Sequence, residues 1–217
     1  MSAPRSSKTI EVETRFHFAN REEAFSLLPF FQPCFTRSNR WHTVQFGHEL
    51  FRKDVLLRIG ESIQADGTRC FLGWKGPDTG TFANLRAELD EEITKGICHS
   101  KILADLGGRP DAESVTSVIA ELHRLGHEPF MEFSGENQYG CYKPLNLQLK
   151  LSFCPILKWP WLLEIEQTAC NSEQALIMEQ ELLDFTRQHH LEERVVQDEP
   201  TDLLYQLCFG HGTGTRP

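Results

Sequence analysis

Three short stretches of this chain set carboxylates and cations at alternate positions: Glu11-Val12-Glu13-Thr14-Arg15, Arg86-Ala87-Glu88-Leu89-Asp90 and Leu163-Glu164-Ile165-Glu166. On a strand, residues i and i+2 share a face and lie ~6.5–7 Å apart. Two ionised carboxylates at that spacing repel each other, and a divalent cation held between strands relieves the repulsion. Mg²⁺ and Mn²⁺ suit such a site, because they take oxygen ligands and keep water and phosphate oxygens in the shell. Glu11 and Glu13 form one such pair, and Glu164 and Glu166 another at the opposite end of the chain. The cations in strand-like surroundings are Arg15, Arg58, Lys75, Arg86 and Lys150. Arginine offers phosphate a planar fork and lysine a point charge. Acids for a metal beside cations for phosphates are the equipment of phosphoryl transfer.

These groups must be positioned by strands. Ile10–Phe18 alternates strictly, and Trp41–Phe46, Val55–Gly60, Arg69–Lys75, Leu85–Ile93, Pro129–Phe133, Leu147–Phe153 and Leu162–Thr168 are further strand-like segments. Helices are fewer. Asn20 with Glu23 signals a short one that must stop at Pro29. Asp111 or Ser114 opens a second that Gly126 closes, and Ser172 opens a long one to about His190. Asp202–Phe209 reads as a short strand or helix. Many alternating strands with few helices predict a mainly antiparallel sheet or barrel. The polar faces of several strands are almost purely charged. Such faces are either solvated outer surfaces or the lining of a closed barrel.

Composition narrows the possibilities. At 217 residues there is room for about one domain, with a core that needs neither metal nor disulfide as a staple. Hydrophobic residues at 40% and charged residues at 24% describe a globular chain. A net charge of −9 argues against bulk attraction to nucleic acid or an anionic membrane, so an anionic ligand needs a local cluster of cations. The uncharged stretch Ala24 to Thr36 contains Pro29 and Pro33 and falls short of the ~20 residues of a membrane span. Met1 to Thr9 is polar and basic with no apolar run behind it, so no signal peptide is expected. Seven cysteines without a C-x-x-C pair suggest neither a disulfide framework nor a zinc ribbon, and predict a reducing, cytoplasmic setting. His123 and His127 have chelating spacing but no third ligand, and Gly210–Gly214 resembles a phosphate loop in composition only.

Taken in order, the charged segments resemble the CYTH superfamily, the triphosphate tunnel metalloenzymes. Glu11-Val12-Glu13-Thr14-Arg15 is similar to the Glu-x-Glu-x-Lys signature, and Leu57-Arg58-Ile59 to a Leu-Arg-Ile-Arg strand. Leu72-Gly73-Trp74-Lys75-Gly76-Pro77 is similar to the Leu-Thr-x-Lys-Gly-Pro segment of the cyclase-like branch. Arg86-Ala87-Glu88-Leu89-Asp90 and Leu163-Glu164-Ile165-Glu166 match Arg-x-Glu-x-Glu and Phe-x-Glu-Ile-Glu, and Asp202–Leu207 loosely resembles the closing Ser-Tyr-x-x-Leu-Leu.

The resemblance implies an α+β fold: an eight-stranded, closed antiparallel β-barrel with charged faces inside and flanking helices. A single tunnel domain would span 10–209, between a disordered lead at 1–9 and a flexible tail at 210–217. Glu11, Glu13, Glu164 and Glu166 would hold Mg²⁺ or Mn²⁺, with Glu88 and Asp90 supporting them. Arg15, Arg58, Lys75 and Arg86 would bind the phosphates, Arg15 and Lys75 closest to the chemistry, and Lys150, on the strand face of Cys154, would restore one missing cation. The implied activity is hydrolysis of a triphosphate: inorganic, thiamine or nucleoside triphosphate. The alternatives are a class IV adenylyl cyclase making cyclic AMP from ATP, and a degenerate module that binds polyphosphate or nucleotide without turnover. The partner would be a small triphosphate-containing molecule, not nucleic acid or a membrane, and a homodimer fits the family. Four positions depart from the pattern: Gly60 for the second arginine of its strand, Ser134 and Glu136 for two later cations, and Cys154 for an aspartate.

Overall fold

The computed structural model describes residues 9–210. Both halves of the predicted architecture are present, the closed barrel and its flanking helices. The strands are β1 (Thr9–Phe18), β2 (Phe35–Phe46), β3 (Leu56–Gln64), β4 (Gly67–Lys75), β5 (Asn84–Glu92), β6 (Pro129–Tyr142), β7 (Leu147–Phe153), β8 (Trp161–Ala169) and the short β9 (Val195–Val196). Neighbours run β5-β4-β3-β2-β6-β7-β8-β1, all antiparallel, and β1 pairs with β5 to close the ring. That closure removes the open edges an eight-stranded sheet would otherwise present. The strand pairing of β1 to β5 ends at Glu13↔Asn84, and β9 takes over beside Arg15 and Phe16. The C-terminal segment is thereby stitched into the wall of the barrel.

The helices are α1 (Arg21–Leu27), α2 (His48–Phe51), α3 (Lys101–Asp105), α4 (Val115–Arg124), α5 (Ser172–Gln188) and α6 (Pro200–Phe209). They cover the apolar outer faces of the strands. Val12, Phe16, Leu149, Leu151, Leu163 and Ile165 pack with Ala24 of α1 and with Ala175, Leu182 and Phe185 of α5. On the opposite side, Leu57, Ile59, Leu72 and Leu89 pack with Ile102 and Leu103 of α3 and Val118 and Leu122 of α4. Each of the larger side chains, Val, Leu, Ile or Phe, contributes about 1.5–3 kcal/mol on burial. The apolar faces therefore look outward onto helices, and the charged faces look inward.

Local signals account for most boundaries. Asn20 accepts a hydrogen bond from Glu23 N at 2.8 Å, and Glu23 reaches back to Ala19 N at 2.7 Å. Ser114 caps α4, and Gly126, at a φ of 82°, turns the chain out of it. The strands β2, β3 and β6 run longer than expected, and two helical features differ as well. Asn171, not Ser172, caps α5 by accepting from Gln174 N, and the stretch after β5 contains the short helix α3. The last element is helical. All seven cysteines are free thiols. No helix among the described residues is long and apolar enough to cross a membrane. The glycine-rich reading at the C-terminus lies, beyond Gly210, outside the described residues.

One buried carboxylate fixes the connection between β4 and β5. Glu179 of α5 accepts hydrogen bonds from the backbone N–H of Thr81, Phe82 and Ala83 at 2.7, 2.6 and 3.1 Å. Burial pushes its pKa up, but these backbone donors outweigh it and hold the pKa below the ordinary carboxylate value. A depressed folded-state pKa contributes stability that is present above the unfolded value and lost as pH falls through the folded one. Glu179→Ala should cost about 3 kcal/mol in urea denaturation at neutral pH, because buried donors are left unpaired. The difference from wild type should shrink as pH drops through the acid range.

Candidate functional site

The interior is built by register. Arg15 on β1 lies opposite Glu164 on β8, which lies opposite Lys150 on β7, which lies opposite Tyr139 on β6. On the other side of β1, Glu11 faces Arg86 of β5. Glu88 of β5 faces Lys75 of β4. Alternation along each strand then turns these groups into one space. All eleven residues singled out from the sequence lie on the inward faces of the barrel strands.

Their pairings form a continuous network. The Arg15 guanidinium donates to Glu13 at 2.6 Å and to Asn84 at 2.5 Å, and pairs with Glu199 at 2.8 Å. Lys75 donates to Glu11 and lies 3.7 Å from Glu13 and 3.6 Å from Glu88. Arg58 bonds Glu88 at 3.1 Å and lies 3.6 Å from Asp90. Lys150 pairs with Glu164, which also accepts from the Ser152 hydroxyl at 3.1 Å. Arg86 binds Asp54 at 2.9 Å and the Gly76 carbonyl at 2.8 Å. Gly73 makes the Arg58–Asp90 contact possible: a Cβ there would lie 2.4 Å from Asp90 Oδ1 and 2.8 Å from Arg58 Nε.

Charge is unevenly shared. Glu11, Glu13, Glu88, Asp90, Glu164, Glu166 and Glu199 face five cations, Arg15, Arg58, Lys75, Arg86 and Lys150. Burial raises Glu11 well above the ordinary carboxylate range; Lys75 opposes this, and Glu13, Glu88 and Glu166 add to it. Burial and Glu13 likewise raise Glu166. Glu13 and Glu164 interact closely and split in opposite directions. Glu13 is buried, but Arg15 and Lys75 carry it well below the usual value. Glu164 is pushed by burial up to about 7 despite Lys150.

The donor set can be tested against a divalent metal. Its acids are hard oxygen donors, they outnumber the cations, and Glu13 Oε1 is buried without a hydrogen-bond partner. These features fit Mg²⁺ or Mn²⁺. As the side chains stand, Lys75, Arg15 and Lys150 occupy the carboxylates, and among the described residues no three metal-ligating groups converge into a cage.

The network borders a cavity of about 680 Å³. Arg15, Arg58, Lys75, Asp90, Lys150 and Glu164 reach it, whereas Glu11, Glu13, Glu88, Glu166 and Arg86 do not line it. The other wall is mostly uncharged, with Asn39, Trp41, Phe133, Asn137, Tyr139, Cys154 and Leu162, and Arg37 adds an exposed cation at its rim. Here the register expected for β6 is corrected. Ser134 and Glu136 are exposed on the outside of the barrel, and Phe133, Asn137 and Tyr139 take the inward positions. The conclusion that this strand supplies no cation is unchanged. Gly60 faces the cavity, and the atom nearest to a Cβ built on it would be Thr43 Oγ1 at 3.8 Å, so the place of a large side chain is open space. Cys154 is buried on the mostly uncharged wall, and burial raises its thiol pKa.

Several functional-looking residues escaped sequence reasoning. Asn84 and Asp54 hold the two buried arginines. Glu199 is the most consequential. It caps α6, borders the cavity and pairs with Arg15 at 2.8 Å and Arg86 at 3.2 Å. Its sequence signal, an acid before Pro200 with Asp202 following, marks a helix start and carries no hint of burial in a barrel.

Several solved structures share this closed antiparallel barrel with its flanking helices. No family model and no curated protein matches the sequence. The PH1819 protein of Pyrococcus horikoshii is 18% identical with a TM-score of 0.70, covering 91% of this chain and 99% of its own. HpAC1 of Hippeastrum, an adenylyl cyclase candidate described as having a dominant triphosphatase activity, is 17% identical with a TM-score of 0.57, covering 94% and 97%. A chain of the Schizosaccharomyces pombe Mediator head module is 12% identical with a TM-score of 0.57, covering 82% and 93%.

Proposed function

We propose that this chain is a metal-dependent phosphohydrolase acting on a triphosphate inside its barrel. The observation that carries the reading is the buried set of carboxylates beside Arg15, Arg58, Lys75 and Lys150 on one wall of the cavity. Cations there neutralise a phosphate chain and hold it in line, and positioning with charge stabilisation makes up most of catalysis in phosphoryl transfer. Glu11, Glu13, Glu164 and Glu166 would hold Mg²⁺ or Mn²⁺, which when bound polarises phosphoryl oxygens and offsets their charge. Glu88 anchors Arg58 and Lys75, and Asp90 aligns Arg58. Triphosphatase activity described for HpAC1 supports the reading.

A second reading is a module that binds a phosphorylated ligand without turnover. The uncharged positions Gly60, Phe133 and Asn137 favour it, and a chain of the Mediator head module shares this barrel. A class IV adenylyl cyclase is the third, favoured by the Lys75-Gly76-Pro77 segment.

The test is incubation with inorganic triphosphate, thiamine triphosphate and ATP in Mg²⁺ or Mn²⁺, with products separated by chromatography and Glu11→Ala run in parallel. Release of orthophosphate that Glu11→Ala abolishes is the expected result. Cyclic AMP and pyrophosphate from ATP would make it a cyclase. Binding without product would make it a module, and product formation that survives Glu11→Ala would overturn the metal assignment. Lys150→Ala should weaken triphosphate binding at least about tenfold, on the order of 1.4 kcal/mol.

A further inference from the structure

We infer that Glu199 is a specificity-determining residue that ends the phosphate chain the barrel accepts. The inference rests on the polyphosphate reading above. Its two carboxylate oxygens each meet a different buried arginine, Oε2 at 2.8 Å from Arg15 and Oε1 at 3.2 Å from Arg86. Both arginines are almost fully buried, at 1% and 3% exposure. Glu199 borders the cavity and Arg86 does not, so the carboxylate stands between the cavity and that cation. An anion bridging two guanidinium groups is the arrangement a phosphoryl group would take there. The chain supplies that anion itself.

The substitute is an imperfect fit. Arg15 Nε, Arg86 Nε and Glu199 Oε1 are all buried without an aligned hydrogen bond. A carboxylate has two acceptor oxygens in one plane, and a phosphoryl group has three directed around a tetrahedron. The position is therefore built for more acceptors than Glu199 provides.

Glu199 is also fixed in place. The ladder of β9 on β1 ends three residues before it. Thr201 accepts from Gln45 at 3.2 Å, Tyr205 is hydrogen-bonded to His48 at 2.8 Å, and Leu204 is buried against the barrel end. A held carboxylate repels any further phosphoryl group and fills its space. The barrel is then closed at the α6 end, and the ligand stops at Glu199.

Removing the side chain leaves both arginines with partners, since Arg15 keeps Glu13 and Asn84, and Arg86 keeps Asp54 and the Gly76 carbonyl. The experiment titrates inorganic triphosphate and inorganic tetraphosphate into wild type, Glu199→Ala, Glu199→Gln and Lys150→Ala by calorimetry at fixed Mg²⁺, with thermal melts to verify folding. Wild type should prefer triphosphate. Glu199→Ala, which removes both charge and bulk, should tighten tetraphosphate at least tenfold more than triphosphate. Glu199→Gln, which removes the charge alone, should fall between. An unchanged preference in folded Glu199→Ala, with Lys150→Ala weakening both ligands, would overturn the inference and leave the polyphosphate reading standing. No binding of either ligand by wild type or any variant would overturn both.

Discussion

Arg15→Ala should lower stability by about 3–5 kcal/mol, the cost typical of breaking a buried, hydrogen-bonded ion pair from one side. Arg15 is 1% exposed and meets two carboxylates and an amide, Glu13, Glu199 and Asn84. Burial works against its charge, and Glu13 and Glu199 more than compensate, so its pKa is raised and it stays charged at any working pH. Truncation leaves those acids in a low-dielectric interior without their cation. For a chain of this size the loss corresponds to a melting-temperature drop of roughly 6–20 °C. Arg15→Lys keeps the charge and gives up the fork, so it should lose less than half as much. Equal losses in the two variants would mean that packing, not charge, is what Arg15 supplies. Urea denaturation at neutral pH decides between them.

Lys75→Ala should weaken inorganic triphosphate binding at least roughly 30-fold, about 2 kcal/mol or more. Lys75 is the hub of the acidic wall, bonded to Glu11 and close to Glu13 and Glu88. It is nine-tenths buried or more and borders the cavity. Burial lowers its pKa, but Glu11 and Glu88 raise it further still, which keeps it an ammonium. Its removal would subtract a cation from the ligand's wall and leave Glu11 without its ion pair, so both effects act in one direction. Calorimetric titration with Lys75→Ala and the space-filling Lys75→Met should show similar losses. Unchanged affinity in both would remove Lys75 from the binding role.

The two predictions draw on different parts of what the residues reveal. Glu11, Glu13, Arg15, Glu164 and Glu166 were legible because β1 alternates throughout and Leu163–Glu166 alternates at the centre of β8, and β7 matches its predicted bounds for the same reason. The far halves of β2 and β6 were not. Arg37-Ser38-Asn39-Arg40 has no apolar face to betray a strand, and Gly135 interrupts β6. That glycine is required by tertiary contact, since a Cβ there would lie 2.7 Å from the Trp41 ring and 2.2 Å from the Phe153 carbonyl. The one-residue error in assigning Ser134 and Glu136 inward follows from the same gap, because a slip of one residue exchanges the faces of a strand.

Alternation by itself determined that each of these strands has one charged face and one apolar face, and it determined which residues share each face. It could not say which face looks inward, because a period of two is symmetric about the strand. Tertiary structure decided that: α1, α3, α4 and α5 cover the apolar faces from outside, and the β1–β5 pairing closes the charged faces around a cavity. The same closure chose the partners of the arginines. Glu199 lies far from Arg15 and Arg86 along the chain, and no local pattern relates them. They meet because β1 runs on past the start of β5 at Asn84 and β9 fills the edge left there, delivering the start of α6 into the barrel.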